Sequence, residues 1–129
     1  MKPLPDNISD EELIRFIDEW AALLEREDYE AAYEHTDHVL FMHWTPGLIR
    51  EVLKAYGEAS PHQKVTLQGK STDITQRKEV ERWEGEGNNV GEIWYDLNID
   101  GKVSDLTATF ELRQSGEGII IYLNDIHVM

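Results

Sequence analysis

EIWYDLNIDGKVSDLTATFEL, residues 92–112, decides how this chain folds. Ile93, Tyr95, Leu97 and Ile99 alternate with Glu92, Trp94, Asp96 and Asn98, the period-two pattern of a half-buried strand. Asp100-Gly101 then gives a two-residue hairpin signal, because the turn needs positive φ at both positions and these residues tolerate it. On the return, Leu106, Ala108, Phe110 and Leu112 alternate with Asp105, Thr107, Thr109 and Glu111. The spacing predicts two antiparallel strands, 89–100 and 102–113, each with one apolar and one polar face. Ser115-Gly116-Glu117-Gly118 turns the chain again. Ile119 to Leu123 is apolar at every position, which suits a strand that is central or covered on both sides, and the strand pattern runs on to Met129.

Before this block the strand signals weaken. Lys78 to Trp83 reads as a short strand with Val80 marking one face, followed by a turn at Gly85-Glu86-Gly87-Asn88-Asn89. Val65-Thr66-Leu67 starts a strand, and Gly69 to Thr75 is read as its twisted or bulged continuation. Earlier still, the period changes to 3.6. Ser9-Asp10-Glu11-Glu12 has capping-box spacing with acids at the positive end of the helix dipole. Leu13, Phe16, Ile17, Trp20 and Leu24 follow on one face, so a helix is expected over 10–26. Asp28 caps a second helix over 29–37, with Tyr29, Ala32 and Tyr33 on one side. Val39 to Trp44 is an apolar-rich run that suits a short strand or an extended connection. Thr45-Pro46 restarts a helix, with Leu48, Ile49, Val52, Leu53 and Tyr56 as its stripe and Gly57 just past its end. Residues 1–8 read as an arm and 9–129 as one domain. Helices first and a meander afterwards predict an α+β fold, with N-terminal helices packed on a curved antiparallel sheet.

The chain has 129 residues with 12 Lys and Arg against 26 Asp and Glu, a formal net charge of −14. Residues 1–40 hold 12 acids against Lys2, Arg15 and Arg26, a net of −9, which leaves −5 for the remainder. This field repels phosphate backbones and anionic lipid, so neither nucleic acid nor membrane is expected as a partner. It favours a cationic partner protein, or serves solubility alone. With no cysteine, disulfides, thiolate metal sites and cysteine nucleophiles are excluded. No 18-residue apolar run predicts a membrane span, and Met1 to Asp10 lacks the apolar core of a signal peptide, so a cytoplasmic location is expected. Nucleotide-cradle, zincin and serine-nucleophile motifs are absent, and no motif implies a cofactor.

The order of elements resembles the nuclear-transport-factor-2-like superfamily, the cystatin-related α+β cone. The likeness covers about 10–129. It is carried by the capped helix ending Trp20-Ala21-Ala22-Leu23-Leu24, by the entry Glu27-Asp28-Tyr29-Glu30-Ala31-Ala32-Tyr33, and by the closing strand Tyr122-Leu123-Asn124-Asp125-Ile126-His127-Val128. The resemblance implies a curved sheet wrapped on helices, a pocket at the mouth of the cone, and sheet-to-sheet dimers. Its members include isomerases, dehydratases, polyketide cyclases, transport and scaffold modules, and bacterial immunity proteins, so the fold leaves function open.

Three constellations carry candidate chemistry. His35 and His38 are i, i+3, so on a helix they share a face and could hold a metal with Asp37 or His43; equally, they could simply close a helix C-terminus. Asp125 and His127 are i, i+2 on one strand, a carboxylate and an imidazole suited to general-base work with Tyr33 if they face a pocket, and an inert pair if they face solvent. In that small-molecule reading His43, Trp44 and Tyr95 contact a small apolar ligand, and the enzyme would be isomerase- or dehydratase-like. Trp94 stands opposite in phase to Ile93 and Tyr95 among Glu92 and Asp96, either as an interface anchor or as a cross-strand packing contact. The leading expectation is a non-catalytic binding domain of bacterial type, an acidic immunity or accessory protein. A weak homodimer centred on Trp94 is expected beside it.

Overall fold

The Glu12 N–H donates to Ser9 Oγ at 3.1 Å and the Ser9 N–H donates to Glu12 Oε1 at 3.3 Å. This reciprocal cap satisfies two of the backbone donors that a helix start leaves orphaned. It opens α1 (Asp10–Glu25). The computed structural model describes residues 1–84 and 87–128. Leu13, Ile17, Trp20, Ala21 and Leu24 are buried along α1, and Trp20 meets Phe110 of the sheet edge-on, with ring centroids 5.1 Å apart. Glu27 takes a positive φ of 56°, which swings the chain into α2 (Tyr29–His35). Asp28 Oδ1 caps that helix by accepting from the Ala31 N–H at 3.1 Å. Thr45 Oγ1 accepts from the Leu48 N–H at 3.0 Å and starts α3 (Pro46–Ala55), with Pro46 in its first turn.

The strands are β1 (Asp37–His38), β2 (Val65–Thr66), β3 (Lys78–Arg82), β4 (Asn89–Ile99), β5 (Lys102–Ser115) and β6 (Gly118–Val128). They form one sheet in the order β1-β6-β5-β4-β2, and β3 pairs with β4 beside β2. All pairs are antiparallel except β1 with β6. The sheet is therefore mixed, whereas the sequence pattern predicted an antiparallel one. Register shifts fall between Asn89 and Gly91, between Asp96 and Asn98, and between Thr109 and Phe110. Each adds local bend and twist, and the sheet curls into a half-barrel against which the helices pack. The α+β architecture expected from the sequence is the one observed.

Three local expectations are corrected. The second helix stops at His35 rather than at 37, because Thr36 turns extended and Asp37–His38 join β6. Residues 39–44 are not a strand: Leu40–Met42 form a 3-10 turn closed by His43 at φ 53°. Beyond Thr66 the chain leaves the sheet, and Gly69 to Thr75 contains no strand, only a single bridge from Lys70 to Lys102. The arm is docked, since Leu4 pairs with Ile119 and Ile8 is buried in the core. Gly85 and Glu86 of the expected turn and the terminal Met129 lie outside the described residues. Among the described residues no helix is long and apolar enough to cross a membrane.

Candidate functional site

Cross-strand register builds the polar side of the sheet. Glu81 on β3 stands opposite Glu92 on β4, Glu92 opposite Glu111 on β5, and Glu111 opposite Tyr122 on β6. The next rung runs Glu79, Trp94, Thr109, Asp125. Side chains alternate across a strand, so both rungs lie on the face turned away from Ile93, Tyr95 and Phe110. Like charges directly opposite one another are destabilising. The compensation is partial. Arg113 forks onto Glu111 Oε2 through Nε and Nη2, at 2.9 and 2.7 Å, and its guanidinium also lies 3.9 Å from the Tyr122 ring centroid. The Trp94 indole N–H donates to Glu92 Oε1 at 2.5 Å, and the Arg77 guanidinium sits 4.8 Å from the Trp94 ring centroid. A cavity of about 120 Å³ lies against this tryptophan, lined by Arg77, Glu79, Glu81 and Glu92. Further along the face, Asp96 is buried. Its carboxylate accepts from Thr107 Oγ1 at 2.6 Å and from the Arg77 N–H at 2.7 Å, which pins the chain entering β3.

Asp125 and His127 belong to this outer face. They stand opposite Thr109 and Thr107, partly exposed, with His127 Nδ1 3.0 Å from Asp125 Oδ2. They line none of the cavities described here. Tyr33 and His38 stack on each other with centroids 3.9 Å apart, and His38 Nε2 lies 2.6 Å from the Tyr33 carbonyl. His35 stacks on Phe16 at 4.1 Å, with Nε2 2.9 Å from the Phe16 carbonyl. The two imidazoles thus serve separate neighbours, and among the described residues no group of three or more His, Asp or Glu side chains could hold a metal ion. Trp44 is buried and donates its indole N–H to the Asn124 carbonyl at 2.9 Å, a peg under the β6 edge. His43 is exposed in the left-handed turn.

Tyr95 lies on the opposite, helix-facing side. Its hydroxyl donates to Asp18 Oδ1 at 2.6 Å and Lys78 Nζ stands 4.7 Å from its ring centroid. Burial, then the Asp18 hydrogen bond and charge, push the phenol far above its ordinary range, so Tyr95 remains a donor. Tyr56 is raised in the same direction by burial and by its hydrogen bond to Asp105. An open depression of about 560 Å³ lies beside α3 between Arg50, Lys54, Ala55 and Pro61.

Residues 21–129 match the model of a domain family, DUF7668, described as a domain of unknown function. The chain belongs to the DUF7668 family. No curated protein and no solved structure matches it. The match takes in the last turn of α1 and every strand, so both faces of the sheet lie within the DUF7668 domain. The sequence pattern finds Trp94 on the outer face of this domain but misses Glu79 and Glu81 beside it, although their alternation around Val80 was there to read. It also misses Leu40 and Phe41, which are 90% and 70% exposed on the 3-10 turn. Their apolar character reads as strand, and only the turn reveals that both point outward.

Proposed function

We infer that this DUF7668 domain is a non-catalytic binding module that takes a cationic partner protein on the outer face of its sheet. The observation that carries the reading is the in-register rung Glu81, Glu92 and Glu111 beside Trp94. Folding alone gains nothing from opposed carboxylates, and Arg113 answers only Glu111, whereas arginines or lysines from a partner would compensate Glu81 and Glu92. Trp94 supplies the large side chain around which such charge contacts anchor. The net charge of −14 speeds encounter with a basic protein. The resemblance to the α+β cone domains gives this reading its most concrete form, an immunity or accessory protein of bacterial type that covers a cationic toxin.

The test is capture from native extract on immobilised domain across a salt series, followed by reconstitution with the identified partner in pure form. A basic partner should bind at low salt, release as salt rises, and be lost with Glu92→Lys or Trp94→Ala. An acidic partner, or one indifferent to both variants, sinks the reading. Without a partner the same face pairs two copies weakly. Salt screens the opposed glutamates over about 8–10 Å, so sedimentation should show that pair tightening as salt is added and weakening with Trp94→Ala.

A further inference from the structure

β2 and β3 share one edge of β4 without meeting each other. Val65 and Thr66 pair with Ile99 and Asn98, whereas Lys78 to Arg82 pair with Tyr95 back to Gly91. Residues 67–77 leave the sheet between them, and side chains hold the opening. Gln76 Nε2 donates to the Asp96 carbonyl at 3.2 Å and to Asn98 Oδ1 at 2.7 Å. Asn98 Nδ2 donates to the Leu67 carbonyl at 2.9 Å. Gly69 lies so close to Asn98 that a Cβ there would collide with its side-chain amide. The loop is therefore tied down at both ends, and glycine sets how far it closes.

Between this loop and the β4 edge lies a cavity of about 260 Å³, lined by Asp18, Gln68, Gly69, Gln76, Lys78 and Asn98. That is below the roughly 300–1,000 Å³ of sites for drug-sized ligands. Its charged groups are one carboxylate and one ammonium. Lys78 Nζ stands 3.6 Å from Asp18 Oδ1, while Lys54–Glu27 and Arg82–Asp10 close to 2.7 and 2.8 Å. Both side chains are accessible, 28% for Lys78 and 37% for Asp18. The Tyr95 hydroxyl and Lys78 both address Oδ1 of Asp18, and Oδ2 has no partner among the described residues. The pair is held in place, open to solvent and only partly used.

We propose that this notch binds a small zwitterion of the α-amino-acid type, its ammonium on Asp18 Oδ2 and its carboxylate on Lys78 Nζ. A lone cation is repelled by Lys78 and a lone anion by Asp18, whereas a molecule carrying both charges inserts into the pair and leaves each wall compensated. A neutral polyol gains only the amides. Tyr95 fixes the carboxylate and the Gln76–Asn98 lock fixes the rim, so little ordering cost remains at binding. The site shares no residue with the glutamate rung and stands or falls apart from it.

Amide NMR titration of the isotope-labelled protein with glycine and L-serine tests the proposal, with methylammonium, acetate and glycerol as single-feature probes. Saturable shifts are expected at Gly69, Gln76, Lys78 and Asn98 with both amino acids, at least about tenfold tighter than with any single-feature probe. Asp18→Asn keeps an acceptor for Tyr95, and Lys78→Met keeps the stem over its ring. Each should weaken the amino acids by about tenfold or more. Absence of saturable shifts, glycerol binding as tightly as the amino acids, or amino-acid binding that either variant leaves unchanged overturns the proposal.

Discussion

The two faces of β4 and β5 are made from alternate residues of the same strands, yet they answer to different demands. Ile93, Tyr95, Leu97, Ala108, Phe110 and Leu112 on the inner face are all buried in the core with α1. Nothing there is spare, and removing any large member leaves a void. Glu92, Trp94 and Glu111 on the outer face are only half-buried, and the carboxylates oppose each other across the strands. The inner face minimises free energy, whereas the outer face carries a small standing cost. The difference teaches that burial on the inner face sets the strand order, while the opposed carboxylates on the outer face add no stability of their own.

The sharpest way to break this comparison is at Trp20, the largest fully buried side chain. Trp20→Ala should destabilise by about 3–5 kcal/mol in denaturant unfolding. A loss under about 1 kcal/mol would mean that α1 does not anchor the inner face. The next effect is alkaline. The folded-state pKa of Tyr95 is raised, so its contribution is fully present below the ordinary tyrosine value of about 10 and is lost as pH rises above it. Stability should fall there by about 1.4 kcal/mol per pH unit for this one proton, and Tyr95→Phe should flatten that limb. Tyr29 and Tyr56 are also raised, chiefly by burial, and leave a residual slope.

Smaller effects belong to the outer side. Glu81→Gln removes a carboxylate directly opposite Glu92 and should stabilise the fold by about 0.2–1 kcal/mol while weakening partner capture. A destabilised Glu81→Gln would show that the rung is cooperative within the fold and would remove the case for a partner. Phe41→Ser, on the exposed turn, should shift unfolding by no more than about 0.5 kcal/mol either way. A larger loss would place Phe41 in the core.

What the sequence shows and what it hides follow the range of each interaction. The caps of α1 and α3 are legible because Ser9 reaches Glu12 and Thr45 reaches Leu48, three residues along. Alternation places Trp94 outward for the same local reason. The histidines are not legible, since His35 finds its partner at Phe16, 19 residues away, by packing of α2 on α1. Leu4 and Ile8 carry no period, so nothing local announces that the arm joins the sheet. The notch is hidden too. Asp18 and Lys78 come together only because β3 pairs with β4 across α1, and the break after Thr66 depends on the Gln76 side chain reaching Asp96 and Asn98 and on the Asn98 amide reaching the Leu67 carbonyl.

The docked arm has one more consequence. Leu4 exchanges hydrogen bonds with Ile119 in both directions at 2.8 Å, and it comes that close because Gly118, at φ 143°, has no side chain to strike the Leu4 carbonyl. Directly under this cover run Ile119, Ile120 and Ile121, three adjacent β-branched residues without a charge. Uncovered, such a run is a template for cross-β stacking between molecules. The first few residues therefore act as a selvedge on the fabric of the sheet, and a Cβ at position 118 would push that selvedge off its edge.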